Sequence, residues 1–298
     1  MAIKTVTATI NGQTTSLTYN ESTGKYEATI TAPSKSSFNL DGGYYPVTVK
    51  AIDTANNTTT KDATDGTLGT SLRLVVKEKI APVLAFTYPT AGAYITNNKP
   101  MITWKVTDTD SGVNSSTIGI TIDSGSKITD GITKTAITGG YQCSYTPTTA
   151  LSDGSHTVKI NASDNDGNAA TQVSVQFKID TVPPTLTVSA PADKYITNNK
   201  SLIVSGTTND ATSSPVVVKV NGTAVTVASN GTFSTTVTLT EGSNTITVVA
   251  TDSAGKSTTI TRTVTLDTKA PTISAVTLTP NPVDAGKTYV ISVTVIDQ

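Results

Sequence analysis

The chain repeats itself, and the period of that repetition limits the architectures open to it more than any other property. Three segments share one layout: DGGYYPVTVKAIDTANNTTT from Asp41, SDGSHTVKINASDNDGNAAT from Ser152 and TEGSNTITVVATDSAGKSTT from Thr240. Each reads acidic residue, Gly, strand, Asp, turn. Along the strands Val47, Val49 and Ala51 alternate with polar neighbours, as do Val158, Ile160 and Ala162, and then Ile246, Val248 and Ala250. An apolar residue at every second position places all three on one face of an extended chain, so each strand buries one side only. Asp53, Asp164 and Asp252 end these strands, and Asn56, Gly167 and Gly255 follow three residues later. Such positions suit Asx-type turns that need a residue tolerant of positive φ.

A second repeat marks the boundaries. KIAPVLAFTYPTAGAYITNNKPMITW from Lys79 matches TVPPTLTVSAPADKYITNNKSLIVSG from Thr181, and TKAPTISAVTLTPNPVDAGKTYVISV from Thr268 matches more loosely. Tyr94 and Tyr195 begin the shared YITNNK 101 residues apart, and Pro184 and Pro271 are 87 residues apart. Proline lacks the ladder donor and fixes φ, so these stretches read as stiff linkers leading into a first edge strand. All-strand modules of this length, roughly 100 residues, match an immunoglobulin-like β-sandwich. The expected fold is all-β: tandem immunoglobulin-like sandwiches in an elongated array, divided at residues 1–79, 80–181, 182–268 and 269–298.

The two ends read as parts of one module. The opening MAIKTVTATINGQTTSLTYNESTGKYEATI aligns with the later part of the third module, Asn11-Gly12 with Asn221-Gly222, Gly24 with Gly231 and Tyr26 with Phe233. The first module is therefore expected to lack its two opening strands, whereas residues 269–298 supply two such strands and little else. Two strands alone are marginal in water, and an open sandwich exposes apolar surface. One expectation is that the C-terminal strands complete a sandwich in another chain or subunit by donor-strand addition. Pro271, Ile273, Val276, Leu278, Tyr289, Ile291, Val293 and Val295 would carry that contact. The other is that residues 1–79 form a complete, atypical sandwich and the C-terminal strands pack on the third module.

Composition narrows the chemistry. The 298 residues include one His and one Cys, charged residues are 14% and the formal net charge is −1. Glutamate occurs at positions 21, 27, 78 and 241 only. Such a chain cannot assemble a His-rich metal site, a Cys cluster or a disulfide frame, and offers no broad field to attract nucleic acid or anionic lipid. No catalytic site is expected, and no cofactor, nucleic acid or membrane partner. The start MAIKTVTATI carries no charged segment followed by an apolar run, and no eighteen apolar residues follow one another. The expected route is synthesis in the cytoplasm without a secretion signal, with release by lysis.

Ordinary structural roles account for most residues that invite a functional reading. Asp108 and Asp110 in TDTDSG, and Asp164 and Asp166 in SDNDGN, alternate oxygen ligands as calcium loops do. Ala169 and Val175 stand where an EF-hand needs Gly and a bidentate Glu, so turn formation is the expected role and no metal is assigned. His156 aligns with Tyr45 or Asn244 and reads as a surface histidine, not a general base. Cys143 and Trp104 read as core residues on strands. Tyr44 and Tyr45, beside Gly42 and Gly43, read as turn packing, with an exposed aromatic contact for sugar or protein as the alternative.

The Asp-Gly…Val-x-Ala-x-Asp-x-x-Gly-Asn strand and the Ala-Pro and Pro-Pro linkers resemble bacterial and phage Ig-like repeat families over nearly the whole chain. INGQTTSLTY, SLRLVVKEK and PNPVDAGKTYVISVTV resemble Ig-like proteins encoded with tail genes of phages of Gram-positive hosts. That resemblance implies a non-enzymatic structural or decoration component of a phage tail or related contractile particle. Its partners would be other virion proteins and further copies of the chain, with a host-surface glycan or protein as a further contact. A cell-surface adhesin or carbohydrate-binding Ig-like array, and a spacer from a larger carbohydrate-active enzyme, remain open alternatives.

Overall fold

In the computed structural model, which describes residues 2–297, the chain is built of strands and tight turns. Met1 and Gln298, the outermost residues of the expected first and last segments, lie outside the described residues. Contacts divide the chain into two units, Met1–Ala93 with Asn98–Lys178, and Tyr94–Asn97 with Ile179–Gln298.

The first unit begins with one sheet, in the order Lys25–Glu27, Gln13–Asn20, Ile3–Ile10, Tyr45–Asp53, Thr58–Lys61, with Arg73–Leu74 beside the start of Tyr45–Asp53. Asn11 (φ 48°) and Gly12 (φ 75°) close the first hairpin as a two-residue loop between Ile10 and Gln13. Positive φ at both positions is what a tight hairpin of the strands' own twist requires. Register sets Val6 against Ala51, Ala8 against Val49 and Ile10 against Val47, so the alternation read in the sequence becomes one apolar face. That face is only partly covered. Of the apolar side chains before residue 80, those fully buried among the described residues are Ala8, Tyr45 and Ala63.

A two-sheet sandwich follows. Thr133–Ile137, Gly140–Tyr145, Ile102–Thr107 and Val83–Tyr88 form one sheet, and Val113–Ile122, Gly154–Asp164 and Val173–Ile179 run side by side in the other. Ile102, Trp104 and Val106 from the first sheet, and Ile118, Ile120, Val158, Ile160 and Phe177 from the second, are at most 1% exposed. Full burial of each aliphatic side chain contributes about 1.5–3 kcal/mol before the entropy of ordering it is set against the gain.

The second unit contains a sandwich of the same plan. Thr185–Ala190, Ser201–Asn209 and Thr232–Thr238 form one sheet; Tyr195–Thr197, Ser257–Leu266, Gly242–Thr251, Val217–Val220 and Thr223–Val225 form the other. Its core gathers Val188, Leu202, Val204, Val218, Phe233, Ile246, Val248, Val264 and Leu266. The second of these sheets explains the N-terminal one. Its order of Ser257–Leu266, Gly242–Thr251, Val217–Val220, Thr223–Val225 is that of Thr58–Lys61, Tyr45–Asp53, Ile3–Ile10, Gln13–Asn20. The aligned Asn221 (φ 47°) and Gly222 (φ 82°) make the same two-residue turn.

The two sandwiches solve one core position differently. Phe86 faces Trp104 across the ladder, and Val188 faces Gly206 in the same place. On the other side Trp104 is opposite Cys143, and Gly206 is opposite Phe233. A large residue beside a small one fills each site, with the large partner on opposite strands. Close packing tolerates such exchanges when the combined volume is kept.

Residues Thr272–Thr279 and Val290–Ile296 pair as an antiparallel hairpin, exposed along both strands. A register shift between Ile273 and Ala275 absorbs one extra residue. Without it, Ile273 would stand on the opposite face from Val276 and Leu278.

Candidate functional site

The hairpin residues singled out in the sequence do share one surface. Ile273 faces Val295, Val276 faces Val293 and Leu278 faces Ile291, so six aliphatic side chains line a single face. They are 43–64% exposed, and Tyr289 beside them is 49% exposed. Pro271 precedes the first strand, as Pro82 and Pro184 do in the sandwiches. There the corresponding pairs, Leu84 with Val106 and Phe86 with Trp104, point into the core. The hairpin thus displays outward the face that its sister strands bury.

The structure brings carboxylates together at a second kind of place. Glu78, Asp108 and Asp164 offer oxygens within 4.8 Å of one another, and so do Asp180, Asp210 and Asp252. The members correspond one for one. Glu78 and Asp180 lie just ahead of the proline linkers, Asp108 and Asp210 follow the strands Ile102–Thr107 and Ser201–Asn209, and Asp164 and Asp252 end the repeated strand. Two of the four sequence candidates are therefore placed in a cluster and two are not. Asp110 accepts the Ser36 amide at 3.1 Å through both oxygens, and Asp166 accepts the Glu78 amide at 2.9 Å. Sequence reasoning missed Glu78 and the whole second triad. The signal available was the acidic residue before each linker, repeated at matching distance.

Each triad is held by neutral donors. Asp108 Oδ1 accepts the Asp110 and Gly112 amides at 3.0 and 2.8 Å, Glu78 Oε1 the Ser111 amide at 2.6 Å, and Asp164 the amide and side chain of Asn168 at 2.7 and 2.6 Å. In the second triad Asp210 Oδ1 accepts the Thr212 and Ser213 amides at 2.8 and 2.6 Å, and Asp252 Oδ1 the Lys256 amide at 2.8 Å. Ser213 Oγ donates to Asp180 Oδ2. Asp53 occupies the matching turn of the N-terminal sheet, where no companion carboxylates converge among the described residues. Hydrogen bonds from the Asn57 side chain and amide hold it below the usual carboxylate range.

The structure decides between the two readings of Tyr45 and changes that of His156. Tyr45 is 6% exposed and its hydroxyl donates to the Lys35 carbonyl at 3.2 Å, so it is no exposed aromatic tip. Tyr44 lies under the Arg73 guanidinium, 4.9 Å from ring centre to Cζ. His156 is also 6% exposed, not a surface residue. Its ring nitrogens bond Asp123 Oδ2 at 2.8 Å and the Ser152 carbonyl at 2.7 Å, and its ring lies 5.9 Å from that of Phe177. Asp123 holds this place because it takes positive φ (53°) after Val113–Ile122, in a turn that turns its carboxylate back to residues 156 and 157.

Cys143 is fully buried as expected, and burial pushes its thiol up to about 11. Thiolate is the reactive form, so a neutral disulfide reagent at pH 8 is expected to leave Cys143 unmodified in the folded chain and to modify it stoichiometrically in denaturant. Rapid labelling of the native protein would show that the strand Gly140–Tyr145 opens readily.

Comparison with known proteins fits this architecture. Residues 91–181 match a bacterial Ig-like domain model, residues 139–225 a second bacterial Ig-like domain (group 3), and residues 184–268 domain B of glucodextranase. Bacillopeptidase F of Bacillus subtilis (strain 168) is 34% identical over 129 residues, which is 43% of this chain and 8% of that protein. The chain thus spans a small fraction of that relative's length. Among solved structures, the fibronectin(III)-like modules of Clostridium thermocellum CbhA are 18% identical, covering 62% of this chain and 94% of theirs (TM-score 0.37). A tetra-tandem repeat from the extending region of a large adhesion protein is 21% identical, covering 98% and 79% (TM-score 0.32). The chain is an array of tandem Ig-like sandwiches, an architecture that is typically non-catalytic.

Proposed function

We propose that the chain is a non-enzymatic structural component of a multi-copy particle, of the phage-tail or contractile class, in which the Thr272–Ile296 hairpin of one copy covers the open N-terminal sheet of the next. The observation that carries this reading is the exposed six-residue aliphatic face, built on the register that the sandwiches bury. Three further positions support the pairing. Asp267 and Asp297 of the hairpin segment stand where Asp180 and Asp210 stand in the complete sandwich, and Asp53 of the N-terminal sheet stands where Asp252 does. Covering one face with the other gives each exposed apolar face a partner layer, and a contact between unlike surfaces propagates along a ring or filament. The phage-tail class rests on the resemblance of the terminal segments noted above.

Sedimentation of the full chain tests the assembly. The wild-type protein is expected to show concentration-dependent oligomers. Val276→Asp combined with Val293→Asp, which puts two charges on the apolar face, is expected to sediment as monomer with unchanged strand content by circular dichroism. A wild-type chain that stays monomeric at its solubility limit overturns the head-to-tail pairing. Antibody labelling of purified native particles tests the class: regular labelling is expected, and absence of the chain from particles overturns it.

A further inference from the structure

We infer that each carboxylate triad is a binding site for a hard divalent cation of the calcium class, one formed by Glu78, Asp108 and Asp164 and one by Asp180, Asp210 and Asp252. Convergence of acidic groups alone would not establish this. The second observation is polar groups left bare beside them. Asp252 is 5% exposed, and its Oδ2 has no hydrogen-bond partner among the described residues. Ser111, whose amide bonds Glu78, is 0% exposed and its Oγ is likewise unpartnered. A buried carboxylate oxygen without a donor is costly, and three neighbouring carboxylates repel one another in a medium that screens poorly. The amide, Asn and Ser donors already described bring no formal positive charge to either triad. A doubly charged ion resolves both costs.

The donor set also selects the ion. All six ligands are carboxylates, with neither His nor Cys, so zinc and soft transition metals are disfavoured. Calcium accepts six to eight oxygens in flexible geometry and keeps water in unfilled positions, whereas magnesium demands a near-ideal octahedron. Recurrence adds weight, since the same three places of the fold carry the acids in both sandwiches although their sequences differ. Held this way, the ion ties the segment entering a module, at Glu78 or Asp180, to the ends of two of its strands.

Calorimetric titration of the chelator-treated full chain with Ca²⁺ is the test. Two ions per chain are expected, one for each triad, with dissociation constants on the order of those of extracellular modules, about 10⁻⁴–10⁻³ M. Thermal melting should shift upward with Ca²⁺. Asp252→Asn is expected to leave one ion bound, and so is Asp108→Asn, the site kept being the other one in each case. Asp62→Asn, an acid outside both triads whose Oδ1 accepts the amide and hydroxyl of Thr64, should keep both. Should either triad variant melt too low to titrate, Glu78→Gln and Asp180→Asn, which change the linker ligand, serve instead. Absence of Ca²⁺ binding to the wild-type chain at millimolar concentration, or two ions still bound by Asp252→Asn, overturns the inference.

Discussion

Replacing Trp104 by Ala is expected to destabilise its sandwich by about 3–5 kcal/mol, the range for truncating a fully buried large aromatic side chain. Trp104 is 0% exposed, and its ladder neighbour Cys143 is too small to fill the space left behind. The indole Nε1 has no hydrogen-bond partner among the described residues, so none is lost on truncation. Transfer and cavity costs therefore account for the whole effect. Cys143 gives a local readout, because it is the chain's one cysteine and lies beside the substituted position. Its modification should begin at distinctly lower denaturant in Trp104→Ala than in wild type. Coincident labelling curves would mean that neighbouring side chains collapse into the space.

Gly206→Ala should be the opposite kind of failure, too much volume where the other sandwich tolerates a tryptophan. A Cβ on Gly206 would lie 2.0 Å from the Thr187 carbonyl oxygen and 2.7 Å from the Phe233 ring. The ring can tilt, but the carbonyl belongs to the neighbouring strand's backbone and moves only if Thr185–Ala190 moves. A loss of about 1–3 kcal/mol is expected from one added methyl group. Equilibrium unfolding of the full chain, followed by circular dichroism, measures it. Adding Phe233→Ala should not rescue the variant, because the closer clash remains; recovery on that background would place the conflict at the ring instead.

How far the sequence could be read depended on the range of the cause. Alternation at Val47, Val49 and Ala51, the Asn-Gly turns, and positive φ at Asn56, Gly167 and Gly255 are local, and each appears in the structure as read. Burial of His156 is not legible locally because a distant segment decides it: Asp123 reaches it from another strand's turn, just as Arg73–Leu74, pairing with the strand start, decides for turn packing at Tyr45. The triads failed for the same reason. Asp108 and Asp110 look equivalent in TDTDSG, yet only the fold decides that one turns inward toward Glu78 and the other outward to the Ser36 amide. The hairpin's shared face was legible residue by residue, although the register shift that lets Ile273 join it was not.

Large and small residues trade strands at the Trp104–Cys143 and Gly206–Phe233 pairs, and this bears on how two look-alike domains avoid folding into each other. Neighbouring repeats on one chain are prone to exchange strands during folding. Were Ile102–Thr107 to pair with Thr232–Thr238, Trp104 would meet Phe233 in a space sized for one of them. The reciprocal exchange would set Gly206 beside Cys143 and leave a hole. Either mispaired product is penalised by overpacking or by a void, so a single ladder position helps each strand find its own sandwich while the backbone plan stays the same.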